Sequence, residues 1–259
     1  MTHTASGSAT LAAKFLQASP VAGVAPQRCS SAKDEKREAM NIIITGAAGA
    51  LGSAVIDRFG SAGDRLALID RREGESREAA TWFVVDNLAD EAAASSGLAR
   101  AASNLGNVDA LVHLTGAFSW IPVAESRLSD WRALYSANVE SAIMCVQGVL
   151  PHLTDGGSIV LVGAAAAQRA GAGMGPYAAA KASVARLAEA LSQELAPRRI
   201  RTNCILPLII DTPRNRAEMP DAHPSIWTST SAIADAISFL AGMQSRGVNG
   251  ACLEVTNGA

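Results

Sequence analysis

The chain has no excess of charge and no long apolar run, and these shortages exclude two classes of partner. Its 22 basic and 24 acidic residues are mixed along the sequence and give a formal charge of -2. We therefore expect no basic face for nucleic acid or for an anionic membrane. Charged residues break the apolar runs before they reach the roughly 20 residues that span a bilayer. Small molecules are the expected partners, with no nucleic acid and no membrane.

Cysteine is also scarce, with four residues that form no CxxC pair. Cys145, Cys204 and Cys252 lie in apolar stretches, as small hydrophobic residues do, and Cys29 lies apart from them. This usage indicates a reducing, cytosol-like compartment. We expect a cytoplasmic protein whose chemistry uses no metal.

Residues 1–39 differ in kind from the rest of the chain. They are rich in Ala, Ser, Thr and Gly, and no acidic residue precedes Asp34. Little hydrophobic periodicity is present, so this leader is expected to be disordered. Its weakly basic, Ser-rich composition is compatible with an organellar transit peptide, whereas Met40, directly before the first strand, favours an extended start without a targeting role. The remaining length suits one catalytic domain over residues 40–259.

From Asn41 onward, short apolar runs alternate with segments of helical length. The runs that predict strands are Ile42–Thr45, Leu66–Ile69, Phe83–Val85, Ala110–Leu114, Ile159–Val162, Thr202–Leu206 and Leu253–Val255. The helical segments include Ala50–Phe59, Ser129–Leu150, Tyr177–Leu195 and Ile233–Met243. This alternation predicts an α/β fold, a Rossmann-type doubly wound parallel β-sheet flanked by helices in a single domain. Such a sheet binds its ligand beyond the carboxyl ends of the strands.

A glycine-rich turn follows the first predicted strand. Glycines let the backbone approach a pyrophosphate, and the helix that begins here supplies free amides and the positive end of its dipole. The residues expected to bind a dinucleotide at this turn are Gly46, Ala48, Gly49, Ala50, Leu51 and Gly52.

Asp70 ends the second predicted strand, about 20 residues beyond the turn, where a carboxylate can accept hydrogen bonds from the adenosine ribose hydroxyls. It repels a 2'-phosphate, so NAD(H) is favoured as cofactor. Arg71 and Arg72 follow directly and could hold that phosphate, so NADP(H) stays open. Asp86 and Asn87, after the third strand, are placed to meet the adenine edge. The alternatives are a turn-capping Asp70 and an exposed loop Asp86.

Tyr177 and Lys181 open a helical segment after the fifth predicted strand, and their spacing of four places both side chains on one face of that helix. An adjacent ammonium stabilises a phenolate, so we expect Lys181 to lower the pKa of Tyr177 towards neutrality and to make it a proton donor. Lys181 could also hold the nicotinamide ribose. The alternative is an aromatic ring packed under a lysine that reaches to solvent.

These motifs together resemble the short-chain dehydrogenase/reductase family, from Asn41 to the C-terminus. The resemblance implies that Tyr177 is the catalytic acid, Lys181 its partner and Asn138 the residue that steadies a water relay to the lysine. As an alternative, Asn138 is a polar residue inside a helix. Further cofactor contacts implied by the family pattern fall on Thr115, Gly116, Lys181, Pro207, Ile210 and Thr212.

Several positions depart from the common family pattern. The serine that polarises a carbonyl usually lies thirteen residues before the tyrosine, and here that position is Ala164. Ala50 stands where the larger subgroup has glycine, Leu208 replaces another glycine, and the motif after the fourth strand reads His113–Leu114–Thr115–Gly116. His113 or Thr115 could donate the missing hydrogen bond, but a histidine satisfied by its neighbours at a strand end is the commoner case.

The loss of serine is shared with one branch, the dihydropteridine reductases, which the chain also resembles in the runs Asp211–Arg216 and Met219–Ala222. Their substrate, a quinonoid dihydropterin, is an electron-poor conjugated imine that needs less activation than a ketone. The aromatic side chains would form flat apolar walls around it, unless each is simply packed in the interior. The residues expected to bind this substrate are Phe118, Trp120, Ala164, Tyr177 and Trp227.

Three functions follow from these patterns. The leading hypothesis is a dihydropteridine-reductase-like enzyme that passes hydride from NADH to quinonoid dihydropterin. The second is a carbonyl or alcohol oxidoreductase in which Thr115 or a water molecule replaces the serine. The third is a non-catalytic dinucleotide-binding regulatory protein, against which intact Tyr177, Lys181 and Asn138 argue. Long helical segments with apolar residues on more than one face indicate a homodimer or homotetramer.

Overall fold

The computed structural model describes residues 38–257. The leader predicted over residues 1–39 lies outside the described residues except for its last two positions, and so does Cys29. Within residues 38–257, no helix is both long enough and apolar enough to cross a membrane.

The seven apolar runs of the sequence form one sheet in which every neighbouring pair of strands is parallel. Its strands are β1 Asn41–Thr45, β2 Arg65–Asp70, β3 Ala80–Val84, β4 Val108–His113, β5 Leu153–Val162, β6 Arg201–Pro207 and β9 Cys252–Val255. Two short strands, β7 Ile210–Asp211 and β8 Thr228–Ser229, pair with each other outside this sheet. The predicted strands are confirmed, although β3 and β5 begin earlier than their apolar runs indicated.

Helices connect the strands. They are α1 Ala50–Gly60, α2 Glu91–Leu105, α3 Leu128–Tyr135, α4 Ser141–Val149, α5 Gly175–Glu194, α6 Pro213–Glu218 and α7 Thr230–Ala241. A π-helical turn, Ser136–Glu140, joins α3 to α4 without a break. The long helix predicted over Ser129–Leu150 therefore exists, with one wider turn inside it.

The central strands of the sheet are buried on both faces, which explains why β1 and β2 are almost continuously apolar. Ile42, Ile43 and Ile44 of β1 are all fully buried, yet they point to opposite faces. Ile43 packs with residues of α2, α4 and α5, whereas Ile42 and Ile44 pack with residues of α1 and α7. Each such side chain contributes about 1.5–3 kcal/mol through removal of its surface from water. The two helical layers confirm the doubly wound architecture.

The order of the strands fixes where a ligand can bind. It runs β3-β2-β1-β4-β5-β6-β9, so the chain moves outward in one direction from β1 and then returns to start again at β4. Connections leave the carboxyl ends of β1 and β4 towards opposite faces, which opens a crevice between them. The last residues of these two strands, Thr45 and His113, are register partners at the base of the crevice.

Candidate active site

The glycine turn after β1 brings the backbone against the end of β4. Gly46 has a φ of +71°, and a Cβ there would lie 2.7 Å from the amide nitrogen of Thr115. In the first turn of α1, a Cβ on Gly52 would overlap the carbonyl oxygen of Ala47. Gly49 is the N-terminal cap of α1, so the free amides of that helix face the turn. The two outer glycines are thus required by close backbone approach.

Asp70 ties the end of β2 to this turn. Its carboxylate accepts hydrogen bonds from the backbone amides of Ala48, at 3.0 Å, and Arg71, at 2.7 Å. The side chain therefore does cap a turn, as the simpler interpretation held, and it also lines the cavity described next. Arg71 and Arg72 line the same cavity and are exposed.

A cavity of about 900 Å³ lies at the carboxyl ends of β1 to β4. The predicted cofactor residues that line it are Gly46, Ala48, Gly49, Ala50, Asp70, Arg71, Asp86, Asn87, Thr115 and Gly116. Those outside its lining are Leu51, Gly52, Lys181, Pro207, Ile210 and Thr212. One continuous cavity thus brings together residues from four separate loops, and its volume is within the range typical of cofactor sites.

Two details of the lining fit a bound dinucleotide. A Cβ on Gly116 would lie 2.6 Å from Asn138 Oδ1 and 3.0 Å from Lys181 Nζ. Only glycine therefore lets these two polar side chains approach the backbone of the cavity lining. Within residues 38–257, Thr115 Oγ1 is buried and has no hydrogen-bond partner. A buried hydroxyl normally finds one, so this group is available to a ligand.

Tyr177 and Lys181 lie one turn apart on α5, on the face predicted from their spacing. Lys181 Nζ lies 5.9 Å from the centre of the Tyr177 ring and donates a hydrogen bond of 2.8 Å to the carbonyl oxygen of Val162, at the end of β5. Lys181 is only 5% exposed. The sheet thus holds the lysine in place beneath the tyrosine.

The expected lowering of the tyrosine pKa is wrong for this arrangement. Burial raises the pKa of Tyr177 to about 12. Burial also lowers the pKa of Lys181 to about 8, an effect that the nearby Cys204 partly opposes. The ammonium is directed at the Val162 carbonyl rather than at the phenol oxygen, so desolvation decides the direction for the tyrosine.

Asn138 lies in the π-helical turn and is almost fully buried. Its Nδ2 donates to the carbonyl oxygens of Leu134, at 2.8 Å, and Ala117, at 3.0 Å, while its Oδ1 accepts from the Ala117 amide at 3.2 Å. The side chain therefore clamps the loop after β4 in both directions. Asn138 and Lys181 both approach Gly116, so the predicted trio of Tyr177, Lys181 and Asn138 shares one region.

His113 is buried and satisfied, as the commoner interpretation held. Its Nδ1 lies 2.8 Å from Thr45 Oγ1 and its Nε2 lies 3.4 Å from Ser141 Oγ, whose hydroxyl donates to the Ala137 carbonyl. This network assigns the proton to Nε2. Burial, with a smaller effect of Lys181, lowers the pKa of His113 to about 3. The imidazole is a neutral link between β1 and the helix that carries Asn138.

The wall before the tyrosine carries no hydroxyl. Ala164 is 6% exposed and is followed by three further alanines, Ala165 to Ala167. Gly163, which precedes it, donates its amide to the Ile205 carbonyl at 2.8 Å, and so the wall is fixed to β6. The missing serine is therefore not replaced by a neighbouring residue of the same segment.

The three candidate aromatic residues have different environments. Phe118 is 43% exposed and contacts the Tyr177 ring, whereas Trp120 is 60% exposed and donates from Nε1 to the Ala172 carbonyl at 2.9 Å. A Cβ on Gly173 would overlap the Trp120 ring, which lies across that loop. Trp227 is only 2% exposed, so its indole packs in the interior, as the alternative interpretation held. Its contact with a substrate stays a prediction.

The segment after β6 is held mainly by its own contacts. Thr212 caps α6 by accepting from the Asn215 amide at 3.1 Å, and Asn215 Nδ2 donates to the Ile210 carbonyl at 2.8 Å. Arg216 makes two hydrogen bonds to the Asp211 carboxylate, at 2.6 and 2.7 Å. Pro207 is buried at the end of β6. The unusual run Asp211–Arg216 thus has a structural explanation that does not involve a substrate.

Several cavity residues were missed in the sequence. Arg214 of α6 lines the cavity, and so do residues of α3, α4 and the π-helical turn, namely Ala133, Ser136, Ala137 and Ser141. Arg214 is two residues beyond Thr212, which was an available signal. The helical residues had none, because their side of the helix depends on the π turn. Among residues 38–257, no three His, Cys, Asp or Glu side chains form a cluster that could hold a metal ion.

Comparison with known proteins agrees with this fold. The family model described as short chain dehydrogenase matches residues 40–223. The 2-(R)-hydroxypropyl-CoM dehydrogenase of Xanthobacter autotrophicus is 28% identical over 242 residues, which cover 84% of this chain and 96% of the relative. D-threitol dehydrogenase of Mycolicibacterium smegmatis is 27% identical over 237 residues, with coverage of 83% and 91%.

Among solved structures, a Brucella melitensis short-chain dehydrogenase/reductase titled glucose/ribitol dehydrogenase superposes with a TM-score of 0.79 at 29% identity, covering 86% of this chain and 97% of that one. The parallel sheet, the glycine turn and the paired tyrosine and lysine occur together in a chain that the family model matches over most of its length. The chain therefore belongs to the short-chain dehydrogenase family and is an NAD(P)-dependent oxidoreductase.

Proposed function

We propose that this enzyme uses NADH to reduce a flat, conjugated and electron-poor acceptor, of which quinonoid dihydropterin is the example. The observation that carries the proposal is Ala164, which leaves the wall beside Tyr177 without a hydroxyl. A ketone gains from such a donor as charge develops on its oxygen. A conjugated imine spreads that charge over its ring system and needs the donor less.

The choice of NAD(H) rests on Asp70. Its carboxylate is fixed by two backbone amides and faces the cavity, where a 2'-phosphate would bring a second negative charge close to it. Arg71 and Arg72 are exposed beside it and leave binding of NADP(H) open as the weaker activity. We expect a lower KM for NADH than for NADPH.

The residues of the chain divide the work as follows. The glycine turn and the N-terminus of α1 would hold the pyrophosphate, Asp70 the adenosine ribose and Lys181 the nicotinamide ribose. The nicotinamide, when bound, supplies the hydride. Tyr177 supplies the proton from its hydroxyl, which its raised pKa keeps protonated at neutral pH. Asn138 keeps the loop after β4 against the lysine.

Phe118 and Trp120 are the proposed flat walls for the acceptor. Both are exposed, and Phe118 contacts the ring of Tyr177. Aromatic faces suit a bicyclic ring because they bury large flat areas without demanding hydrogen bonds. Ala164 adds a small apolar surface on the same side as the tyrosine.

A second candidate is a carbonyl or alcohol oxidoreductase. The relatives named above are dehydrogenases of hydroxyl-bearing substrates, by their names. Within residues 38–257, Thr115 Oγ1 is a buried hydroxyl without a partner, and it could donate to a carbonyl in place of the absent serine. This candidate predicts that Thr115→Val abolishes ketone reduction.

The test is a screen of NADH and NADPH oxidation with quinonoid dihydropterin, quinones, imines, ketones and sugars, using wild type, Ala164→Ser and Ala165→Ser. The proposal predicts turnover of dihydropterin by all three, and ketone turnover that increases only in Ala164→Ser. Ala165→Ser is the matched control one residue away. Ketone reduction by wild type with none of dihydropterin would overturn the proposal. NADH binding without reduction of any acceptor would favour the regulatory hypothesis.

We also propose that the enzyme is a homodimer or homotetramer of a reducing compartment such as the cytoplasm. Apolar side chains are exposed on separate elements, including Leu128 on α3, Phe239 on α7 and Leu253 on β9. A subunit contact would remove such side chains from water. The three cysteines of the described part are free thiols. Light scattering of the purified protein should give two or four times the mass of one chain.

A further inference from the structure

Cys204 and Cys252 lie opposite each other on adjacent parallel strands. Cys204 of β6 and Cys252 of β9 are register partners, although 47 residues separate them along the chain. Both side chains point to the face covered by α5, because Cys252 Sγ contacts the Ala185 carbonyl and Cys204 packs in the same cluster as Ala185. Sequence spacing gave no sign of this pair.

The geometry permits a disulfide bond between the two residues. Neighbouring strands lie about 4.8 Å apart, and disulfide-bonded cysteines have Cα atoms roughly 4.4–6.8 Å apart. β9 is the edge strand of the sheet, so it has a neighbour on one side only. Because β9 has no second neighbour, it can shift towards β6 without disturbing a further strand of the sheet.

The two thiols also have complementary roles. Cys204 is fully buried, whereas Cys252 is partly exposed. The Cys204 thiol donates to the Ile205 carbonyl oxygen at 3.6 Å. Its proximity favours a thiolate at Cys252 and lowers the pKa of Cys252 to about 7, with burial acting against this shift. Arg186 acts in the same direction, while Glu189, whose carboxylate is 3.9 Å from the sulfur, acts against it. Cys252 is thus a nucleophile with a second thiol behind it.

Cys204 also contacts the catalytic wall, the segment Gly163–Ala164 that lacks the serine hydroxyl. A Cβ on Gly163 would lie 2.9 Å from Cys204 Sγ, so the sulfur packs directly on the residue before Ala164. Gly163 follows Val162, whose carbonyl oxygen holds the ammonium of Lys181. Two consecutive residues, Val162 and Gly163, therefore connect Cys204 to the lysine.

We propose that Cys252 and Cys204 form a modification site that peroxides oxidise to a disulfide, and that this bond alters cofactor binding. The Cys252 thiolate attacks one peroxide oxygen, the O–O bond breaks and hydroxide leaves, which gives a sulfenic acid. The Cys204 sulfur then attacks that sulfur, and the sulfenic oxygen leaves as water. Two thiols and one hydrogen peroxide thus become one disulfide and two waters, with both sulfurs oxidised and the peroxide reduced.

Hydrogen peroxide is the probe for the test. The reduced full chain is treated at neutral pH, and intact mass and peptide mapping are recorded for wild type, Cys252→Ser, Cys204→Ser and Cys145→Ala. Wild type and Cys145→Ala should lose two hydrogens and give one peptide pair that joins residues 204 and 252. Cys145 is a suitable control because burial raises its pKa to about 12. Cys252→Ser should react at least about tenfold more slowly at the described thiols, because the reactive thiolate is gone.

Cys204→Ser should accumulate a sulfenic acid at residue 252 that dimedone traps. If that variant does not fold, the mapped crosslink of the wild type and the loss of reaction in Cys252→Ser decide the question, since Cys252 is partly exposed. Intact thiols after peroxide treatment, sulfinic acid at Cys252 without a crosslink, or a crosslink to another cysteine would each overturn the site.

The link to the catalytic wall has its own measurement. The Kd for NADH is compared between reduced, oxidised and re-reduced wild type by the fluorescence of bound NADH. Oxidation should raise this Kd at least about twofold, since a shift of the Val162–Gly163 segment moves the carbonyl oxygen that holds Lys181. Reductant should return the Kd to its original value. An unchanged Kd in fully oxidised protein would contradict the link. This measurement needs no acceptor, so its failure is separate from failure of the proposed reaction.

Discussion

The ring of Phe118 meets the ring of Tyr177 edge to face, with centroids 4.9 Å apart and planes at 88°. This geometry is a favourable one for two aromatic rings and is worth about 0.5–1.5 kcal/mol beyond surface burial. It positions the phenol and, in the proposed function, also forms one wall for the acceptor.

Phe118→Leu should therefore raise the KM for a flat acceptor about five- to tenfold, which corresponds to the loss of roughly 1 kcal/mol of aromatic contact. The kcat should fall by less than about threefold, so the effect on KM is the larger one. Steady-state kinetics with saturating NADH provide the measurement. Phe239→Leu is the matched control, because Phe239 on α7 is equally exposed at 43%. Equal effects of both substitutions would contradict the assigned position of Phe118.

Tyr177→Phe should reduce kcat about 10²- to 10⁴-fold, the usual contribution of a positioned proton donor. The Kd for NADH should stay within about twofold, because the lysine and the glycine turn are unchanged. Tyr135→Phe is the control, since Tyr135 is the other tyrosine of the chain and is 45% exposed on α3. Full turnover by Tyr177→Phe would remove the tyrosine from the mechanism.

Gly116→Ala should weaken NADH binding about tenfold and destabilise the fold by about 1–3 kcal/mol, the range of an overpacked interior. The added methyl group would lie 2.6 Å from Asn138 Oδ1 and 3.0 Å from Lys181 Nζ, and both groups are held by other hydrogen bonds. Gly60→Ala is the control, because a Cβ there meets no atom within 4 Å. Denaturant unfolding gives the change in stability, and NADH titration gives the change in affinity. A Gly116→Ala variant with unchanged stability and unchanged NADH affinity would contradict the close contact of Gly116 with Asn138 and Lys181.

Lys181 should make stability depend on pH in the alkaline range. Its pKa is lowered from 10.5 to about 8 by burial, so between these values the folded state binds fewer protons than the unfolded state. Stability contributed by this group therefore increases as pH rises from about 8 to 10.5, by up to about 3 kcal/mol. Below that window the charged form is fully present and its burial is fully unfavourable.

The comparison with Lys181→Met isolates this effect. The difference in unfolding free energy between wild type and this variant should shift in favour of wild type across that window, as measured by urea unfolding at several pH values. Arg58→Met, which removes an exposed cation paired with Asp235, should show a constant difference. A flat difference for Lys181→Met would show that its pKa is not lowered.

The sequence predicted the fold well because local patterns determine it. Fully buried parallel strands must be apolar, and the runs around Ile43, Leu111 and Val160 therefore stood out. The spacing of Tyr177 and Lys181 likewise follows from one helix. Helix α2 was not singled out, since its Ala- and Ser-rich run has few large apolar residues to mark a face, and its clearest signal is the Asp90 side chain that caps it.

What the sequence did not reveal depends on contacts between distant segments. The sequence pattern predicts a loop at Trp227, and only the folded chain shows that its indole is buried. The pairing of Cys204 with Cys252 requires the strand order, which places β9 beside β6. The pKa of Tyr177 depended on where the Lys181 ammonium points, and spacing along a helix does not determine that direction. The π-helical turn has no residue signature in Ser136–Glu140.

That wider turn fixes the length of the helix between β4 and β5. A π turn holds one residue more than an α turn, so deleting one residue of Ser136–Glu140 would leave a regular helix with α3 and α4 still aligned. A deletion before Asn138 would place this residue three rather than four positions after Leu134 and would change its hydrogen bonds to Leu134 and Ala117. A deletion after Asn138 keeps that spacing, so the effect depends on which residue is lost rather than on the regular pitch.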